Sequence, residues 1–102
     1  MSPVSYHFLI PAVHSLSRGE DLNLLVGLSN HGEEDIRHTL RVWAQAEGDP
    51  FLLCETERLL PAGETVHAYV TVPASALSAV DDEEFVISLP DGQFAQLMTF
   101  KD

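Results

Sequence analysis

The side chains able to do chemistry in this chain are five histidines (His7, His14, His31, His38, His67), the single cysteine Cys54 and sixteen carboxylates. Imidazole metal sites usually draw two ligands from one local stretch, and here no His-x-His or His-x-x-x-His pair occurs. A blue-copper centre needs Cys, His and Met brought together, but no histidine closely follows Cys54 and Met98 is far from it in sequence. A nucleophile needs a base that is itself oriented, and no Gly-x-Ser-x-Gly elbow is present. Phosphate-cradling loops of the Gly-x-x-x-x-Gly-Lys or Gly-x-Gly-x-x-Gly kind are absent too. The expectation is a protein that is not an enzyme and carries no organic cofactor. Cys54 reads as a small core hydrophobe. As a lone cysteine it cannot form an internal disulfide, which fits a reducing compartment.

Two constellations remain. The first is the run Asp81-Asp82-Glu83-Glu84, in which Asp81, Asp82 and Glu84 are candidate Ca²⁺ ligands, joined by Glu33, Glu34 or Asp35 from another loop. Hard carboxylate oxygens suit calcium, although the run lacks the alternating spacing and the glycine of an EF-hand loop. The plainer reading is a solvated loop that opposes aggregation. The second is a protein contact built from Arg37, Arg41 and Trp43, extended by His67 and Tyr69. Arginine and aromatic residues are enriched where proteins meet. The plainer reading of Trp43 is cover by a loop or terminal strand of its own chain.

The net charge of −11, from five Lys and Arg against sixteen Asp and Glu, narrows the partners. Phosphate backbones need a basic patch, so nucleic acid is excluded, and anionic membranes are disfavoured for the same reason. No apolar stretch is long enough to insert across a bilayer. A protein partner, including a second copy of the chain, is what remains.

The elements that position these residues are strands. Leu22, Leu24, Val26 and Leu28 alternate onto one face, and Ile36, His38, Leu40, Val42, Ala44 and Ala46 do so in the next segment. That leaves Leu25 on the opposite face of the first strand and Arg37, Thr39, Arg41, Trp43 and Gln45 outward on the second. His38 falls at an inward position, where a neutral imidazole bonded to backbone or a carboxylate is expected. Between the two strands, Asn30-His31-Gly32 is a turn signal, with Gly32 able to take a positive φ. Pro11 makes the Tyr6–Ile10 run an edge strand or one that changes sheet. The 51–60 segment has an ambiguous register, with either Leu52 and Cys54 or Leu53 inward. After the Pro61-Ala62-Gly63-Glu64 turn, Thr65 to Val72 alternates cleanly, with Val66, Ala68, Val70 and Val72 in and His67 and Tyr69 out. A helical turn is expected after Val72, with Pro73 at its first position. Phe85, Ile87 and Leu89 share one face, Pro90-Asp91-Gly92-Gln93 is a hairpin turn, and Phe94, Met98 and Phe100 share one side of the last strand. The sum is an all-β chain: one domain over residues 1–102, an immunoglobulin-like antiparallel β-sandwich of about seven strands.

The segments Gly19 to Val26, Leu28-Ser29-Asn30-His31-Gly32 and Leu60-Pro61-Ala62-Gly63-Glu64-Thr65 together resemble the bacterial immunoglobulin-like domains related to cell adhesion, the CARDB-like type. Asn30-His31-Gly32 and Gly63-Glu64 match that family's two characteristic turns, and the resemblance spans about Gly19 to Val72. It implies a binding or spacer module, usually one of several in an extracellular protein. The N-terminal residues carry no basic segment and only a three-residue unbroken apolar run, Phe8 to Ile10, so they do not read as a signal peptide. A complete chain is therefore expected in the cytoplasm, and an excised domain outside the cell. The functional expectation is an interaction or accessory module presenting a sheet face or edge strand, with a Ca²⁺-binding sandwich as the alternative.

Overall fold

The computed structural model describes residues 3–101. Among these, eight strands form two sheets: β1 (Val4–Pro11), β2 (Ser15–Leu16), β3 (Leu22–Asn30), β4 (Ile36–Gln45), β5 (Phe51–Leu60), β6 (Thr65–Val72), β7 (Glu84–Leu89) and β8 (Gln93–Phe100). The smaller sheet has the order β1-β3-β6 and the larger β2-β8-β7-β4-β5. All pairings are antiparallel except the two-residue β2–β8 contact, which is parallel. This is an immunoglobulin-like β-sandwich with one short strand beyond the seven expected. Pro11 accounts for the extra strand. It ends the β1–β3 ladder opposite Leu24, and the chain then crosses to the other sheet as β2.

The core follows from the period-2 pattern. Leu24, Val26 and Leu28 of β3 and Val70 and Val72 of β6 face Leu40 and Val42 of β4, Phe85 and Ile87 of β7 and Met98 of β8, all buried. Asn30 and Ser29 are the buried polar residues among those described, and Asn30 is satisfied throughout. Its amide nitrogen donates to the carbonyls of Glu34 (2.8 Å) and Leu60 (2.9 Å), and its side-chain oxygen accepts from the Gly32 N–H (2.9 Å). One side chain thus ties the β3–β4 turn to the end of β5.

Several local expectations are revised. Gly32 does not take a positive φ; a Cβ there would meet Asn30 Oδ1 at 3.2 Å and the Pro3 ring at 3.4 Å, so close approach is what suits glycine. Gly63 does sit at φ +71°. The β5 register is resolved by a bulge: Val42 pairs with Cys54 and Trp43 with Leu52, so Leu53 is the inserted residue and is buried, while Leu52 faces out. The short helix α1 is Ala74–Leu77, and Pro73 precedes it rather than opening it. The side chain that meets its first N–H is Asp21 Oδ1, at 2.8 Å. Phe94 does not join Met98 and Phe100 in the core: it is 41 % exposed with φ +54°, because the β7–β8 register shifts between Ile87 and Leu89.

Candidate interaction surface

The two outer faces of the sandwich differ in charge. None of β1, β3 and β6 contains an Asp, Glu, Lys or Arg, although the chain has twenty-one such residues. The strands of the smaller sheet therefore bring no carboxylate, lysine or arginine to its outer face. Its residues meet in register. Ile10, Leu25 and Tyr69 form one row across the three strands, and Phe8, Gly27 and His67 form the next. Tyr69 is 78 % exposed and Ile10 51 %, with Leu25 half-buried between them. The Leu25 expectation, an outward residue on an otherwise inward-facing strand, finds its setting here.

Gly27 shapes the second row. A Cβ at Gly27 would lie 2.3 Å from the Phe8 ring, so only glycine lets that ring lie flat on the sheet. Phe8 then meets His67 edge-on, with ring centroids 5.3 Å apart. Beyond this row, the upper rim is polar. His7 Nε2 and Ser29 Oγ are hydrogen-bonded at 2.6 Å, and Ser29 Oγ and Thr65 Oγ1 at 2.7 Å.

The outer face of the larger sheet carries Arg37, Arg41 and Trp43, as the alternation predicts. Both arginines are already held: Arg37 Nη1 lies 3.1 Å from Glu57 and Arg41 Nε 3.0 Å from Glu55, across the β4–β5 ladder. Exposed pairs of this kind contribute about 0–1 kcal/mol. Trp43 is half-buried, opposite Leu52 and Ser88, on the wall of an open cleft of about 400 Å³ shared with Pro50, Asp91 and Gly92. Tyr69 lies on the other sheet, so Arg37, Arg41, Trp43 and Tyr69 do not make one surface. Only the first three share a face.

The sandwich is laced along both seams by one long polar side chain. Arg58 of β5 donates from Nη2 to the Tyr69 carbonyl (2.8 Å), and Gln96 of β8 donates to the Leu9 carbonyl (3.1 Å). His38, the unexplained inward histidine, sits half-buried near the second seam. Its Nε2 is hydrogen-bonded to the Tyr6 hydroxyl at 2.6 Å, a phenol rather than the backbone or carboxylate partner expected. Burial, reinforced by the Arg41 charge, pushes the imidazole below its ordinary pKa, and burial pushes the Tyr6 phenol up. Burial also raises the Cys54 thiol, which keeps the thiolate scarce at neutral pH.

The acidic run is built around an internal cation. The Arg18 guanidinium donates to the carbonyls of Val80, Asp81 and Asp82 and lies 3.7 Å from the Phe100 ring centroid. Asp81, Glu83 and Glu84 are exposed, with Asp82 half-buried. The Glu33-Glu34-Asp35 loop lies at the opposite end of β3, with Asp35 Oδ1 accepting from the Ala62 N–H. The two acidic loops are thus not brought together. Among the described residues, no three His, Cys, Asp or Glu side chains converge as a metal-binding group. No helix among them is long and apolar enough to cross a membrane.

Charged residues do not mark this face in the sequence. The signal was the converse, three strands without one formal charge in a strongly acidic chain.

No family model and no curated protein matches the chain. Solved structures do. A β-glucosidase from Erythrobacter marinus superposes with a TM-score of 0.76 at 15 % identity, over 95 % of this chain and 15 % of that one. A β-glucosidase involved in saponin metabolism from intestinal bacteria gives 0.80 at 14 % identity, over 97 % and 16 %. β-Glucosidase 3B from Thermotoga neapolitana gives 0.66 at 18 % identity, over 96 % and 16 %. The chain thus spans about one sixth of the length of these enzymes, and at such identities what is shared is the fold.

Proposed function

We propose that the chain is a non-catalytic interaction module that pairs with a second copy of itself through the outer face of the smaller sheet. The observation that carries this reading is the in-register row Ile10–Leu25–Tyr69 on a face free of formal charge. Elsewhere the acidic surface repels another copy. On this face two copies meet without placing carboxylates in contact, and apolar burial drives the contact. The plan area is modest, about 14 Å by 26 Å for three strands of eight residues. That is small for a permanent dimer, so a reversible association in the micromolar range or weaker is expected. The β-glucosidase neighbours, in which the same fold occupies about one sixth of a longer chain, are compatible with an accessory role.

Sedimentation velocity across a concentration series tests the proposal. Concentration-dependent dimer that disappears in Tyr69→Lys supports it. A monomer at every concentration, or a dimer that Tyr69→Lys leaves intact, overturns it.

A further inference from the structure

The larger sheet has a gap. The β4–β7 ladder covers only Trp43, Ala44 and Gln45, because Pro90 ends β7 and turns the chain back as β8. Among the described residues, 36–42 of β4 therefore pair with β5 alone. Their other edge opens on a groove of about 360 Å³ between β4 and the start of β1. Val4 and Tyr6 form one wall, His38 and Arg41 the other, and Pro90 and Asp91 the lower end. A second hollow of about 350 Å³ lies nearby, lined by Pro3, Ile36, Glu33 and Glu34. The groove is the space a longer β7 would fill.

We infer that this edge accepts an extended, basic peptide segment of about six residues by strand addition, occupying the place above Pro90 that β7 leaves open. Seven residues of edge span about 23 Å, enough for such a segment. Charge selects the occupant. Arg37 and Arg41 are paired with Glu57 and Glu55, whereas the groove ends are marked by Glu33 and Glu34 above and Asp91 below, all exposed. The whole chain carries −11, so long-range attraction favours the same sign of partner. In an added strand, inward side chains face the Tyr6–His38 pair and outward ones stand beside Arg37, Thr39 and Arg41, so apolar residues fit inward, neutral polar residues fit outward, and lysines fit at the two ends, toward Glu33, Glu34 and Asp91. The inference rests on the chain's being an interaction module but uses a different surface from the Tyr69 face.

The experiment is amide chemical-shift perturbation of the whole chain with the heptapeptide Lys-Val-Thr-Val-Thr-Val-Lys, against Glu-Val-Thr-Val-Thr-Val-Glu as control. Saturable shifts at residues 37–41 and at Tyr6 with the basic peptide alone are expected. Affinity is expected to fall about tenfold in the triple variant Glu33→Gln, Glu34→Gln, Asp91→Asn. It is expected to be unchanged in Asp81→Asn, Asp82→Asn, Glu83→Gln, and unchanged in Tyr69→Lys, which separates this inference from the self-pairing face. Equal binding of the acidic peptide, equal weakening by both charge-neutralising triples, or shifts confined to other surfaces overturns it. So does concentration-dependent broadening of these same amides without peptide, which makes a second copy the occupant.

Discussion

Tyr69 stands directly opposite Leu25 across the β3–β6 ladder, and Leu25 in turn stands opposite Ile10 of β1. Three outward apolar side chains from three separate segments thus form one continuous row. Each is unremarkable alone, since single exposed hydrophobic residues are common on protein surfaces. Their register makes them a surface, and the lack of any formal charge on the three strands makes it one that another acidic body can approach.

Gly27 is expected to be intolerant of even one methyl group. Gly27→Ala places a Cβ against the Phe8 ring at 2.3 Å, so the ring must leave the sheet and its contact with His67. Overpacking of this kind costs about 1–3 kcal/mol. Urea denaturation should register the loss, and the ring-current shifts of the His67 protons should collapse with it.

Asn30 is expected to be the most costly polar side chain to truncate. Asn30→Ala removes three hydrogen bonds and leaves the Leu60 carbonyl without its side-chain donor in a buried site. An unsatisfied buried group costs about 1–3 kcal/mol, and the β3–β4 turn loosens in addition. Thermal unfolding measures the total, and hydrogen exchange should show the amide of Gly32 losing its protection.

His38 is expected to make the fold sensitive to mild acid. Its pKa is lowered in the folded chain by burial and by Arg41, so below its ordinary value near 6.5 the unfolded chain takes up a proton that the folded chain resists. Its contribution is fully present above that value and is lost as pH falls toward the folded pKa. His38→Gln removes the titration, so the stability lost between pH 7 and pH 5 should be smaller in the variant than in the wild type. Equal losses in the two proteins would rule His38 out as the sensor.

Arg18 is expected to matter more to the acidic loop than any added ion. It already supplies a cation to the carbonyls of Val80, Asp81 and Asp82. Millimolar Ca²⁺ should therefore leave the wild-type melting temperature unchanged, whereas Arg18→Ala should lower stability by about 2 kcal/mol through lost charge-assisted hydrogen bonds and the contact with Phe100. A calcium-dependent rise in the wild-type melting temperature would restore Asp81, Asp82 and Glu84 as ligands.

The sandwich itself was legible because its strands alternate strictly: the inward sets of β3, β4 and β6 follow from period 2 alone. What period 2 does not encode is the assignment of strands to sheets. Tyr69 and Trp43 both read as outward aromatics, but long-range pairing sends β6 to one sheet and β4 to the other. Bulges were equally invisible, since an inserted Leu53 depends on its partner strand, and so was the displacement of Phe94 by an irregular hairpin. His38 stands out in sequence by its inward position, but its partner Tyr6 lies thirty-two residues away and only the fold brings them together.

Whether the uncharged face of the smaller sheet joins two copies of the chain is read directly from the state of association. Sedimentation velocity between about 5 and 500 μM, in low and in moderate salt, tests it most directly, because the relevant affinity range follows from the small plan area. A reversible dimer is expected, one that strengthens as salt screens the acidic bodies and that is abolished by Tyr69→Lys with little change in melting temperature. A chain that stays monomeric throughout, or a dimer indifferent to Tyr69→Lys, would contradict it.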